Sequence, residues 1–533
     1  MKKRILSFTL VINLLFLFLT GRLFSISKTP QMVASQSSLR VKEISTTRGI
    51  IYDRNLSPLV NNAYSYASCI KPTAVAINLL KSKNEPQSTI EKAIKGYFLI
   101  IPSKTAAYGN TNDIKTLTIF ERYPTNTASH IIGYTDSTNN GVCGIEKYFN
   151  DQLLKSGGEL SIAYSSDATG RMLLNEPVEV RNNGYYDKDG IVLTIDKTIQ
   201  NISEVALKNG NIDKGAAIVL DVKTSEILAC ASTPIYDRNS IAEYINDENS
   251  PFINRALSAY PVGSVFKVVT AVSALENGIE MQNYFCNGSI EKSKTIFNCS
   301  NTDGHKDIDL STALAYSCNP YFIELGTKIG ARNLLTTAEN LGFGKSTDLG
   351  NGFFTDSGIL PQISELNSEA AVGNFAFGQG KFTSTPLQIA CLFATIGNNG
   401  IYNEPTLIKG ATDKKGAYSP ELKYEGIKVL KESTCSVIKT ALTKTVTEGT
   451  GKNAFSSLFN SCSKTATAQS GQYDKNGNEI KYCWFAGLFP YEKPKYVICI
   501  LKENGVSGGG DCAPVFKEIA ENIYIQQKNR RSF

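Results

Sequence analysis

A serine three residues ahead of a lysine, inside the apolar run YPVGSVFKVVTAVSALENG, opens a route to chemistry. On a helix, positions i and i+3 share a face, so Ser264 and Lys267 would stand together. An amine held in apolar surroundings loses its preference for charge. It can then take a proton from a hydroxyl and turn serine into a nucleophile. The pair also fits a plainer role, an N-cap serine beside a surface lysine, because serine caps helices well.

Two further stretches carry polar groups in small-residue or apolar settings. In LSTALAYSCNPYFIELG, Ser317 and Asn319 precede Pro320. A proline there predicts a helix interruption that turns both side chains toward a cleft, or a capping pair at a helix junction. In SCSKTATAQSG, the alternation predicts a strand over 461–471, with Lys464 and Ala466 on one side and Thr465 and Thr467 on the other. Such a strand could line an anion-binding cleft, or be an edge strand protected by its lysine.

The elements that must position these residues are legible in outline. VLTIDKTIQNISEVALKNG (192–210) reads as a strand running into an amphipathic helix, and GAAIVLDVKTSEILACAS (215–232) as a hairpin turning at Val222–Ser225. A helix-rich block is expected over about 260–400. Strands return near 401–410, 481–489 and 495–502. Asp53-Arg54-Asn55 is expected to turn between short strands. Strands, then helices, then strands again predict an α+β domain whose sheet closes around a helical insert.

The 533 residues allow two or three domains. With 42% hydrophobic and 20% charged residues the chain is ordinary globular material, and a net charge of +6 is too weak to indicate nucleic acid. MKKR followed by ILSFTLVINLLFLFLT predicts an uncleaved single-pass anchor over residues 5–24, with the N-terminus cytoplasmic and the rest of the chain outside the plasma membrane. Residues 25–47 read as a polar stalk. Twelve cysteines in an exported chain raise disulfides, and Cys286 with Cys299 is the expected bridge, most others being buried thiols. With no CxxC pair and only His130 and His305, neither a metal site nor a cofactor is expected. Two histidines also disfavour a Ser-His-Asp hydrolase, and no G-x-S-x-G elbow exists. GFGKST (342–347) fails the P-loop spacing and is expected to be a loop.

Taken in order, S-V-F-K, S-C-N and K-T-A resemble the S-x-x-K, S-x-N and K-T-G motifs of penicillin-binding proteins and serine β-lactamases. VLTIDKTIQ, GAAIVLDVKTSEILACAST, AFGQGKFTSTPLQIACLFATIGNNG and WFAGLFP are similar to transpeptidase landmarks. TTRGIIYDRNLSPLV and GVCGIEKYFNDQL are similar to the pedestal of class B members, so the resemblance spans about residues 45–520. It implies an anchor (1–24), a stalk and pedestal (25–190) and a penicillin-binding transpeptidase domain (191–530) with a central antiparallel sheet and a helical subdomain. It implies D,D-transpeptidation through an acyl-enzyme on Ser264, with Lys267 as base and Ser317 as proton relay. Asn319, Lys464 and Thr465 would bind substrate, and the N–H groups of Ser264 and Thr467 would form the oxyanion hole. The implied partners are peptidoglycan stem peptides, β-lactams as inhibitors and a polytopic membrane glycan polymerase. The alternatives are a membrane-anchored β-lactam sensor or class D-like β-lactamase, and a decayed scaffold. The last is suggested by Ala466 in place of the family glycine and Ser463 where glycine usually precedes the lysine. An alanine methyl at 466 is expected to narrow the groove without removing a donor.

Overall fold

The computed structural model describes residues 2–27, 38–421, 425–473, 475 and 477–531. Helix α1 (Lys2–Ser27) contains a 20-residue apolar span, Leu6–Ser25, that is exposed throughout and long enough to cross a membrane. Residues 28–37 of the expected stalk lie outside the described residues. Its remainder is not a free stalk: Ser38–Thr46 is a strand paired antiparallel with Glu159–Ser166.

The described chain divides into two compact units. The first comprises residues 1–48, 61–122 and 157–187. It carries a three-stranded sheet that includes the Ser38–Thr46 pair, and a second sheet in which Ala63–Ile70 lies between Leu99–Ser103 and Ile114–Glu121.

The second unit comprises residues 49–60, 123–156 and 188–533. Its central sheet has strands β1 (Gly215–Asp221), β2 (Ile227–Thr233), β3 (Cys462–Tyr473), β4 (Glu479–Phe489) and β5 (Tyr496–Glu503), in the order β2-β1-β5-β4-β3, all antiparallel. β1 is buried on both faces, which is why it reads as a continuous apolar run. Ala217 and Val219 face a cluster with Ile199 and Leu207 of α2 (Lys197–Asn209) and Phe516 and Ile519 near the C-terminus. Ala216, Ile218 and Leu220 face the larger cluster built by the helical insert. The period of two thus divides the sheet between two helical layers. The expected Asp53 turn forms: its Oδ1 accepts from the N–H groups of Asn55 and Ser57, each at 2.8 Å.

The insert runs from α3 (Lys267–Glu276) through α4 (Leu310–Ala315) and α5 (Asn319–Ile329) to α6 (Pro386–Gly397). In α3, Val268, Val269 and Val272 are fully buried. Each such side chain contributes about 1.5–3 kcal/mol, enough for the helix to carry one lysine into the core. α6 starts on a capping box, with Thr385 accepting from Gln388 N–H and Pro386 in its first turn. Residues 342–347 form a loop, as expected.

Candidate active site

Ser264 lies in a 3-10 turn, Gly263–Phe266, that runs straight into α3. In 3-10 geometry positions i and i+3 eclipse, so Ser264 and Lys267 fall on one line. Two glycines hold this turn. Gly263 has φ +63° and donates its N–H to Gly378 O at 2.9 Å. A Cβ at Gly378, whose φ is +85°, would stand 2.0 Å from Gly263 O, so no side chain fits. The chain's one tryptophan closes the other side: Trp484 Nε1 donates to Pro261 O at 2.9 Å.

Lys267 is fully buried, and desolvation pushes its pKa down to about 7. Its Nζ donates to Ser317 O (2.6 Å), Ser317 Oγ (3.1 Å) and Asn319 Oδ1 (2.6 Å). Lys464 Nζ reaches the same Ser317 Oγ at 3.0 Å, and Thr465 O at 2.9 Å. Burial first, and the neighbouring Lys267 second, hold the Lys464 amine well below the usual lysine range.

Ser317 stands in the break between α4 and α5, with φ +58°. That left-handed turn is unusual for a residue with a side chain, and it aims the hydroxyl between the two amines. Asn319 opens α5, with Pro320 beside it in the first turn, and its Nδ2 donates to Asn298 O at 2.9 Å. The helix interruption expected at Pro320 therefore exists.

β3 is the edge strand of the central sheet and borders the cleft. Thr465 Oγ1 lies 2.5 Å from Thr450 Oγ1, and Thr467 is exposed, its hydroxyl 3.4 Å from the N–H of Gly508. Ser264, Ser317, Asn319, Thr465, Ala466 and Thr467 all line one cleft of about 460 Å³. Lys267 and Lys464 lie beneath it. All the expected site residues are thus brought together. Sequence reasoning missed Ser300, Thr450, Lys452, Asn453 and the stretch Ser507-Gly508-Gly509, which complete the wall. The run GGG at 508–510 was the available signal. A Cβ on Gly508 would stand 2.2 Å from Trp484 O and 2.5 Å from Ala466 O.

Three expectations need revision. Ala466 is 4% exposed and belongs to the main hydrophobic cluster, so its methyl is largely packed rather than projecting into the groove. Ser463 is accommodated because its register partner is Gly487, where a Cβ would come within 2.6 Å of the Ser463 Cβ. Cys286 and Cys299 are unbridged, as are all twelve cysteines; the Cys299 sulfur faces His305 and Cys318 instead. His130 is buried against Pro251 O at 2.7 Å, and burial lowers its pKa to about 4, leaving it a neutral structural group.

The family model "Penicillin binding protein transpeptidase domain" matches residues 215–521, more than half of the chain. Stage V sporulation protein D of Bacillus subtilis is 27% identical, over 97% of this chain and 85% of that protein. Peptidoglycan D,D-transpeptidase FtsI of Escherichia coli K12 is 26% identical, over 95% and 89%. Among solved structures, penicillin binding protein 3 of Mycobacterium tuberculosis complexed with aztreonam superposes with a TM-score of 0.66 at 22% identity, covering 92% of this chain and 97% of that one. A structure described as a peptidoglycan synthase complex gives a TM-score of 0.71 at 22% identity and covers 98% of both chains.

Proposed function

Because this chain belongs to the penicillin binding protein transpeptidase family, we propose that it is a class B peptidoglycan D,D-transpeptidase held to the membrane by α1. The observation that carries the reading is the Ser317 hydroxyl set between two buried amines beside a cleft that Ser264 lines, one of those amines belonging to Lys267, one turn of chain after Ser264.

Lys267 in its neutral form takes the proton of Ser264 Oγ, which attacks the carbonyl carbon of the penultimate D-alanine. Oxyanion charge falls to the N–H groups of Ser264 and of Thr467 on the edge strand. Ser317 passes a proton to the leaving D-alanine nitrogen as the C–N bond breaks. An amine of a second stem peptide then attacks the ester and releases Ser264. Lys464 and Thr465 hold the donor's terminal carboxylate. Its negative charge would restore the ammonium form that burial disfavours in Lys464. A β-lactam follows the same course, but its leaving nitrogen stays tethered.

Lys2, Lys3 and Arg4 ahead of the span support a cytoplasmic N-terminus and an extracellular catalytic domain. The neighbour described as a peptidoglycan synthase complex supports a glycan polymerase as membrane partner.

Labelling the detergent-solubilised protein with fluorescent penicillin tests this. Stable label on the wild type and none on Ser264→Ala is expected. Persistent label on the variant refutes the nucleophile, rapid nitrocefin turnover favours a β-lactamase, and an unlabelled wild type favours a scaffold.

A further inference from the structure

Four side chains converge beside the cleft and take no part in that reaction. Cys286, Cys299, His305 and Cys318 each offer one ligand atom, and these atoms all lie within 4.8 Å of one another. Cys286 ends the strand Tyr284–Cys286, which pairs with Lys306–Ile308, the strand that follows His305. Cys299 follows the hairpin of Ser289–Lys292 and Thr295–Asn298. Cys318 is the N-cap residue of α5. The three cysteines are buried and the histidine is partly so. Cys299 Sγ lies 3.4 Å from His305 Nδ1 and 4.0 Å from Cys318 Sγ.

We propose that Cys286, Cys299, His305 and Cys318 bind one Zn²⁺ in a closed tetrahedral site. Zn–S bonds of about 2.3 Å and a Zn–N bond of about 2.0–2.1 Å give tetrahedron edges of roughly 3.8 Å between sulfurs and 3.6 Å between sulfur and nitrogen. The two measured separations fall within about 0.2 Å of those edges, whereas a disulfide needs about 2.05 Å. Three soft sulfurs and an imidazole select zinc over the oxygen-loving magnesium and calcium.

The backbone is bent to suit. Gly288 and Gly304 both have left-handed φ, and a Cβ on either would stand 2.1 Å from a carbonyl oxygen, of Thr302 and Cys286 respectively. Backbone N–H groups of Asn301 and Asn319 are turned toward the Cys299 sulfur, and that of Tyr321 toward Cys318. Such donors stabilise thiolates and orient ligands. Binding replaces three S–H bonds with three Zn–S bonds, releases three protons to solvent and uses one imidazole lone pair. Four protein ligands leave no open position, so the ion is structural. On the transpeptidase reading it is also a positioning element, because Cys318 sits between Ser317 and Asn319. The expectation of no metal rested on the missing CxxC; folding gathers ligands that sequence spacing scatters.

Purify the full chain in detergent without chelator, measure its zinc, then exchange the metal for Co²⁺ and record the absorption spectrum. About one zinc per chain is expected, with d–d bands of tetrahedral cobalt and a thiolate charge-transfer band. Cys299→Ser and His305→Ala should each weaken zinc binding by more than the roughly 10–100-fold that loss of a supporting contact costs. Cys391→Ser, a buried cysteine elsewhere, should retain metal and spectrum. If Cys299→Ser does not fold, the partly exposed His305→Ala carries the comparison. A wild type without zinc that gives no cobalt–thiolate spectrum overturns the site, as does non-reducing peptide mapping that links Cys286 to Cys299. Penicillin labelling is not a readout here, so failure of the transpeptidase reading leaves this test intact.

Discussion

Lys267 and Lys464 share one hydroxyl: their amines lie 3.1 and 3.0 Å from Ser317 Oγ. Burial lowers the pKa of both amines, and the charge of Lys267 lowers that of Lys464 further. With its pKa near 7, Lys267 is available as a neutral base from about neutral pH upward.

The first prediction concerns pH. With the Lys267 pKa near 7, acylation by one penicillin should rise as pH passes upward through that value and then level off. A labelling rate that stays flat from roughly pH 5.5 to 8.5 would remove Lys267 as the titrating base. Lys267→Arg should not acylate at any of these pH values, because a guanidinium stays protonated.

The same burial costs stability. The folded pKa of Lys267 is lowered, so between about 7 and the unfolded value of about 10.4 the unfolded chain holds the extra proton. Stability should rise with pH across that window and lose this contribution as pH falls toward 7. Lys464→Met removes one of the two crowded amines while Lys267 still serves Ser317 Oγ. It should raise Tm near neutral pH and lose penicillin labelling. A thermal-shift scan of both proteins reads the first effect; a lower Tm in the variant would contradict it.

Ala466→Gly should lower stability in urea unfolding by about 0.5–1 kcal/mol for backbone freedom plus about 0.8 kcal/mol for the buried methyl. Acylation should change less than about tenfold, because the methyl packs into the hydrophobic cluster. A large gain in acylation rate would show instead that the methyl obstructs the groove.

Ser463→Ala tests a different burial. Ser463 is fully buried and its Oγ has no hydrogen-bond partner. Removing an unsatisfied buried hydroxyl should be neutral or stabilising, by up to about 1–3 kcal/mol. Destabilisation beyond about 1 kcal/mol in urea unfolding would mean that the hydroxyl has a partner.

Trp484→Phe leaves Pro261 O without its donor, three residues before Ser264. A loss of about 1–3 kcal/mol is expected, with slower acylation because the nucleophile's turn is less firmly held. Wild-type stability and rate in the variant would show that the indole N–H does not hold that turn.

What the sequence disclosed follows from which forces are local. Ser264 and Lys267 were readable because three positions of helical spacing suffice to align them. Lys464 was readable because strand alternation assigns its side. The left-handed Ser317 was not, since its φ is imposed by the junction of α4 and α5 rather than by serine. Thr450 and Gly508 reach the site only through long-range packing, so no nearby pattern marks them. The strand Ser38–Thr46 looked like a stalk because its burial is slight: it is exposed along most of its length. Cys286, Cys299, His305 and Cys318 follow no compact spacing, and their convergence exists only after α5 and the hairpin have folded.

The sheet order ends at β3, and that open end has a consequence for what can be accepted. Among the described residues β3 has no neighbouring strand on the side facing away from β4, so an extended chain laid alongside it would become a sixth strand. Affinity built on main-chain pairing is indifferent to most side chains of the guest. On the proposed transpeptidase reading, discrimination would then fall to the guest's end groups, which the buried amines would test by charge. Residues far from the reacting bond can therefore vary in the guest as long as its terminus carries a carboxylate.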